Sequence, residues 1–220
     1  MPQVDYRLNA IVDAGVLAGR DLPNLARLAA EGGATLIQYR DKTGSTRDMI
    51  ETAFAIRARL KDSGVPFVVN DRVDVALAAG AAGVHLGRED MDAETARRLL
   101  GPDAIIGATV KNEADAARAA GAPIDYACVG GVFETLSKDN PDPPVGLEGL
   151  SHLVKLTRRM RADMPVGAIA GITLERVPAV VSAGAAGVAA ISAIFKADDP
   201  RDAAGRFRLA VDAALTKDHR

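Results

Sequence analysis

"AGAAGV" stands at residues 79–84 and again, letter for letter, at 183–188. Each copy runs from small residues through a glycine into an apolar stretch. That is the pattern of a helix that stops at a glycine and a chain that turns into a buried strand. Looser versions are "AAEGGATLIQYR" from Ala29 and "RAAGAPIDYACVG" from Arg118. The pattern predicts left-handed glycines past the helix ends at Gly33, Gly80, Gly121 and Gly184. A strand–helix unit takes about 25–30 residues in this class of fold. Most intervals between these glycines therefore hold two units, and the last carries an insertion.

The intervening strands are legible. "YRLNAIVD" (6–13), "PFVVN" (66–70), "AIIGATV" (104–110) and "VGAIAGI" (166–172) are apolar and partly β-branched. Interleaved with the first set they make eight, separated by amphipathic stretches such as "RDMIETAFAIRARLKDSG". Strands apolar throughout are covered on both faces. The pattern predicts a single-domain (β/α)8 barrel over 1–220. The alternative, an open doubly wound sheet, fits less well without a Gly-rich dinucleotide turn.

Composition narrows the function classes. A net charge of −2 supplies no basic field for nucleic acid, and 4% aromatics with no tryptophan offers few stacking platforms. Cys128 is the single cysteine, so no internal disulfide forms and a reducing compartment is expected. No apolar run has membrane-spanning length and "MPQVDYRLNA" lacks a leader pattern, so a soluble cytoplasmic protein is expected.

Barrels place their active residues at the C-terminal strand ends. Those ends read Asp13; Gln38, Arg40 and Lys42; Asn70 and Asp71; His85, then Asp90; Thr109; Gly130 and Gly131; Gly171; Ile191 and Ser192. Asp71 and Asp90 follow neighbouring strands, an arrangement suited to Mg²⁺ shared with a phosphate. They also precede helical runs, so helix capping is the competing reading. Gln38, Arg40 and Lys42 alternate and share a strand face. With Lys138 the two cations point to a polyphosphate, against a competing reading of surface salt bridges to Asp41 or Asp48. The long loop after the sixth strand, 131–149, reads either as an active-site lid or as a plain surface excursion. In it, Thr135, Ser137 and Lys138 are placed to fold over a phosphate. "AGIT" (170–173) and "AISA" (190–193) end the last two strands, where barrels commonly bind a phosphate; Gly171 allows close approach and Ser192 adds a hydroxyl.

These motifs resemble the thiamine phosphate synthase family: "QYRDK" (38–42), "NDRVDVALAAGAAGVHLGREDM" (70–91), "IIGAT" (105–109), "ETLSK" (134–138), "AGIT" and "GVAAIS" (187–192). The resemblance implies a (β/α)8 barrel. It implies a Mg²⁺-dependent transferase that joins an aminopyrimidine methyl diphosphate to a thiazole phosphate and releases pyrophosphate. It implies that Gln38, Arg40, Lys42, Asn70, Thr109 and Lys138 hold the pyrimidine diphosphate, and that Asp71 and Asp90 hold the metal. Thr135, Leu136, Ser137, Gly171, Ile191 and Ser192 match the thiazole phosphate site. The partners implied are small molecules, with no nucleic acid or membrane, and a homo-oligomer stays open. Glu134, Ala170, Lys111 and Arg88 depart from the pattern, where proline, glycine, histidine and glutamine are frequent. Two alternatives remain: a thiazole tautomerase on the same fold, and a non-catalytic phosphate-ligand binder. Asp90 and Lys111 favour the synthase over the tautomerase.

Overall fold

The computed structural model describes residues 4–135 and 143–218. Eight parallel strands close into a barrel in sequence order. They are β1 (Leu8–Asp13), β2 (Leu36–Arg40), β3 (Phe67–Asn70), β4 (Gly83–Leu86), β5 (Ile105–Val110), β6 (Tyr126–Val129), β7 (Val166–Ala168) and β8 (Val188–Ala190). The helices between them include α1 (Leu22–Glu31), α2 (Thr46–Leu60), α3 (Val73–Ala79), α4 (Ala93–Leu100), α5 (Glu113–Gly121), α6 (Gly146–Met160) and α7 (Val177–Ser182); the short α8 (Ser192–Phe195) and long α9 (Pro200–Asp218) close the chain. No helix among the described residues is long and apolar enough to cross a membrane. The expected barrel is the observed one, and the open sheet is set aside.

Alternation along each strand builds two cores. On β1, Leu8, Ala10 and Val12 pack outward beneath the helices, while Asn9 and Ile11 face the interior cavity. Inside the barrel, Tyr6, Leu36, Val68, Ile105, Tyr126 and Cys128 form a separate cluster near the N-terminal strand ends. Both tyrosine rings lie where neighbouring strands lack side chains. A Cβ on Gly107 would come within 2.0 Å of Tyr126, and one on Gly167 within 1.7 Å of Tyr6.

Three of the four expected glycines take positive φ: Gly33, Gly80 and Gly184. Gly121 does not. It ends α5, and Ala122 leaves extended at φ −87°, ψ 156°. Pro123 is the reason, because the residue before a proline is pushed out of helical space. The loop after β6 is also shorter than expected. Its described end is Val145, and α6 begins at Gly146, so residues 146–149 are helical. Leu136, Ser137 and Lys138 lie outside the described residues, so the lid expectation rests largely on a segment that is not described.

The N-terminal rim is tied by Arg97 on α4. It donates to Asp125 at 2.7 Å, to the Pro123 carbonyl at 2.9 Å, and to carbonyls at Gly101, Pro102 and Ala104. Asp125 in turn accepts the Ile106 amide at 2.8 Å, tying β5 to the start of β6.

Candidate active site

A cavity of about 860 Å³ opens at the C-terminal end of the barrel. Gln38, Arg40, Asn70 and Thr109 line one side, and Thr135, Gly171, Ile191 and Ser192 the other. Eight of the residues expected in the site therefore share one cavity.

Asp71 and Asp90 meet beside this cavity. Asp71 has φ 63°, a left-handed conformation that aspartate tolerates better than most residues, and its amide donates to the His85 carbonyl at 2.8 Å. Neither aspartate caps a helix. The N-cap of α3 is Arg72, without a side-chain cap bond, and that of α4 is Asp92, which accepts the Thr95 amide. Asp90 instead accepts the Gly87 amide at 2.7 Å. Burial, followed by the Asp71 carboxylate within hydrogen-bonding reach, pushes the Asp90 carboxyl above its usual range. Lys42 forms an ion pair with Asp71.

Of the two cations expected on one strand face, Arg40 ends β2, whereas Lys42 lies two residues past it, half exposed and paired with Asp71. Arg40 pairs with Asp13, its register partner on β1, with side chains only 16% and 3% exposed. Asp41 and Asp48 are engaged elsewhere: Asp41 accepts the Thr43 and Gly44 amides, and Asp48 pairs with Ser45. A guanidinium carries five N–H groups, so Arg40 can hold Asp13 and still present donors to the cavity it lines.

His85 bridges the interior. One ring nitrogen lies 3.0 Å from the Tyr126 hydroxyl and the other 2.9 Å from Thr109 Oγ1. The imidazole thereby holds the hydroxyl expected to meet substrate.

At the far side, the β6 loop is zipped onto the end of β7. Val132 and Phe133 donate to the Ile169 and Ala170 carbonyls, each at 3.1 Å. A Cβ on Gly171 would stand 2.3 Å from the Glu134 carbonyl, so this close approach admits only glycine. Two cations here were not legible beforehand. Arg176 donates to the Gly171 carbonyl at 2.6 Å and lies 4.3 Å above the Phe133 ring, and Lys196 follows α8. Both line the cavity. Their signal in sequence is weak, since each is a lone cation several residues past a motif.

The departures from pattern have physical readings. Arg88 pairs with Asp115 at 3.1 Å, on α5. Lys111 lines the cavity, close to Gly130. Ala170 has φ 93°, a region that favours glycine. Strain of this kind costs about 1–3 kcal/mol. Ala170→Gly should therefore raise the free energy of unfolding by about 1 kcal/mol, after the added freedom of the unfolded chain is subtracted. Urea denaturation checks this, and an unchanged or lower midpoint denies the strain.

Residues 8–194 match the family model described as thiamine monophosphate synthase. The chain belongs to that family. Among its relatives, a thiamine-phosphate synthase of Agrobacterium fabrum is 65% identical, covering 98% of each chain. One from Chloroflexus aurantiacus is 42% identical over 97% of this chain and 96% of its own. The solved structure of a thiamine phosphate pyrophosphorylase from Pyrococcus furiosus superposes with a TM-score of 0.82 at 38% identity, covering 95% of this chain and 96% of that one. The family assignment thus agrees with the motifs, and the names of these relatives fall on the synthase side of the synthase–tautomerase alternative.

Proposed function

We propose that this chain couples an aminopyrimidine methyl diphosphate to a thiazole phosphate, giving thiamine phosphate and pyrophosphate with Mg²⁺. The observation that carries the reading is one cavity whose two sides carry groups suited to anions. Arg40 stands at the first, beside the Lys42, Asp71 and Asp90 cluster, and Gly171 and Ser192 stand at the second.

The donor set fits Mg²⁺. Two carboxylates lie close enough that one raises the proton affinity of the other, and this cation commonly takes one or two carboxylates with phosphate oxygens and water. Asp71 and Asp90 would hold it. When bound, it would neutralise charge on the leaving diphosphate. Arg40, Lys42 and Lys138 add fixed positive charge to the same group. Gln38, Asn70 and Thr109 hold the pyrimidine end. Thr135, Leu136, Ser137, Gly171, Ile191 and Ser192 hold the thiazole phosphate.

The reaction needs no protein nucleophile. The methylene C–O bond breaks, the amino-substituted ring stabilises the carbocation, and the thiazole nitrogen then forms the new C–N bond. Holding both rings in one cavity supplies the proximity. Cys128, 2% exposed in the barrel interior, belongs to the core. A single cysteine, so no internal disulfide, together with small-molecule substrates supports a cytoplasmic reaction.

Incubation with both substrates and Mg²⁺ tests the reading, with thiamine phosphate and pyrophosphate as the expected products. Their absence overturns it. Arg40→Ala should raise the KM for the pyrimidine diphosphate about ten- to hundredfold, the effect of one lost charge-assisted contact. The KM for thiazole phosphate should stay within about twofold on the same basis. The reverse pattern would exchange the two sides of the cavity.

A further inference from the structure

Arg176 and Lys196 line the cavity on the side of Gly171 and Ser192. Two contacts fix the Arg176 guanidinium. Its Nη1 donates to the Gly171 carbonyl at 2.6 Å, and its Cζ lies 4.3 Å from the centre of the Phe133 ring. Gly171 and Phe133 are themselves pressed together, since a Cβ on Gly171 would stand 2.8 Å from the Phe133 Cβ. The guanidinium therefore lies across the seam between the loops after β6 and β7, beside the glycine expected to meet a phosphate. It carries five N–H groups, and the Gly171 carbonyl takes one. Lys196 follows the one-turn helix α8, and its amide donates to the Ser192 carbonyl at 2.9 Å. Four residues apart on a helical turn, Ser192 and Lys196 share a face. Among the described residues neither cation forms an ion pair with a carboxylate.

The rest of this side is short of positive charge. Gly171 offers its backbone, Thr135 and Ser192 offer hydroxyls, and Glu134 adds a carboxylate. The helix α8 spans four residues, so few peptide dipoles add up at its start. A phosphate monoester carries about 1.5 to 2 negative charges at neutral pH. Hydrogen bonds from ionised donors to such a group are roughly twice as strong as neutral ones. We propose that Arg176 and Lys196 hold the phosphate of the thiazole substrate and set the preference for it over the unphosphorylated thiazole alcohol. The proposal rests on the coupling reaction given above. It gives the second side of the cavity the fixed charge that Arg40 and Lys42 bring to the first.

The test compares Arg176→Gln and Lys196→Gln with the wild-type protein. Arg176→Gln should raise the KM for thiazole phosphate about ten- to hundredfold and Lys196→Gln about tenfold, each the effect of one lost charge-assisted contact. The KM for the pyrimidine diphosphate should stay within about twofold in both. The thiazole alcohol, measured as a competitive inhibitor against thiazole phosphate, should change by less than about twofold, because it brings no charge. Arg176 also clasps two loops, and Arg176→Lys separates that role from its charge. Lysine keeps the charge and loses the planar fork, so it should recover part of the affinity that glutamine loses. Thermal midpoints should stay at the wild-type value. Equal weakening of phosphate and alcohol, a loss confined to one of the two glutamine variants or absent from both, no recovery in Arg176→Lys, or weakening that tracks a fall in the thermal midpoint overturns the assignment. Failure of the wild-type protein to form thiamine phosphate would instead overturn the coupling reading, so the two failures are distinct.

Discussion

Asp90→Asn is expected to cut coupling about a hundred- to thousandfold, the scale seen when one preorganised electrostatic group at a reacting centre is removed. In metal-free buffer the same substitution should make the fold more stable. Burial and the neighbouring Asp71 carboxylate raise the Asp90 carboxyl above its ordinary value of 3.8. The folded chain therefore holds this proton through a window, starting near 3.8 and extending upward, in which the unfolded chain has released it. Stability must fall as pH rises through that window and stay flat above it. Asparagine cannot titrate, so the slope should disappear in the variant. Asp71→Asn should cost comparable activity, and a chelator should mimic both. Denaturant titrations across pH, paired with turnover assays, check the two halves separately. Full turnover in chelated buffer would sink the metal assignment.

Arg97→Met should lower the free energy of unfolding by about 3–5 kcal/mol, the range for stranding one member of a buried ion pair. The Asp125 side chain is fully buried and Arg97 is 15% exposed. Among the described residues Asp125 Oδ1 already lacks a partner, so the methionine variant leaves the carboxylate the Ile106 amide alone of these. Carbonyls at Pro123 and Ala104 would lose their donor too. Urea unfolding measures the loss. A change below about 1 kcal/mol, the range of an exposed pair, would show that water already reaches this rim.

The barrel was legible because buried parallel strands leave continuous apolar runs, and the "AGAAGV" repeat marks where helices hand over to strands. Strand-end positions then placed Gln38, Asn70 and Thr109 on the cavity wall, with Asp71 next to Asn70. Partner choice was less legible. Whether Asp71 capped a helix or faced Asp90 depended on the chain turning left-handed at Asp71, which no spacing reveals. The salt-bridge partner of Arg40 was sought among local acids, yet register across β1 supplied Asp13. Arg176 and Lys196 escaped notice because loop geometry, not periodicity, brings them to the cavity. Asn9 sat inside a strand read only as apolar, where one polar residue among hydrophobic neighbours carries little signal.

The Tyr6 and Tyr126 rings, seated against Gly167 and Gly107, have a chemical consequence. They fill the barrel interior beneath the cavity with buried side chains. In the proposed coupling, a carbocation formed in this cavity would react with whichever nucleophile lies beside it, the thiazole nitrogen or water. The thiazole phosphate would then act as both reactant and stopper. Without it, the same ionisation should leak to pyrimidine alcohol, and adding it should suppress hydrolysis in proportion to its occupancy. Fidelity in this barrel would come from the order of filling and not from a closing door.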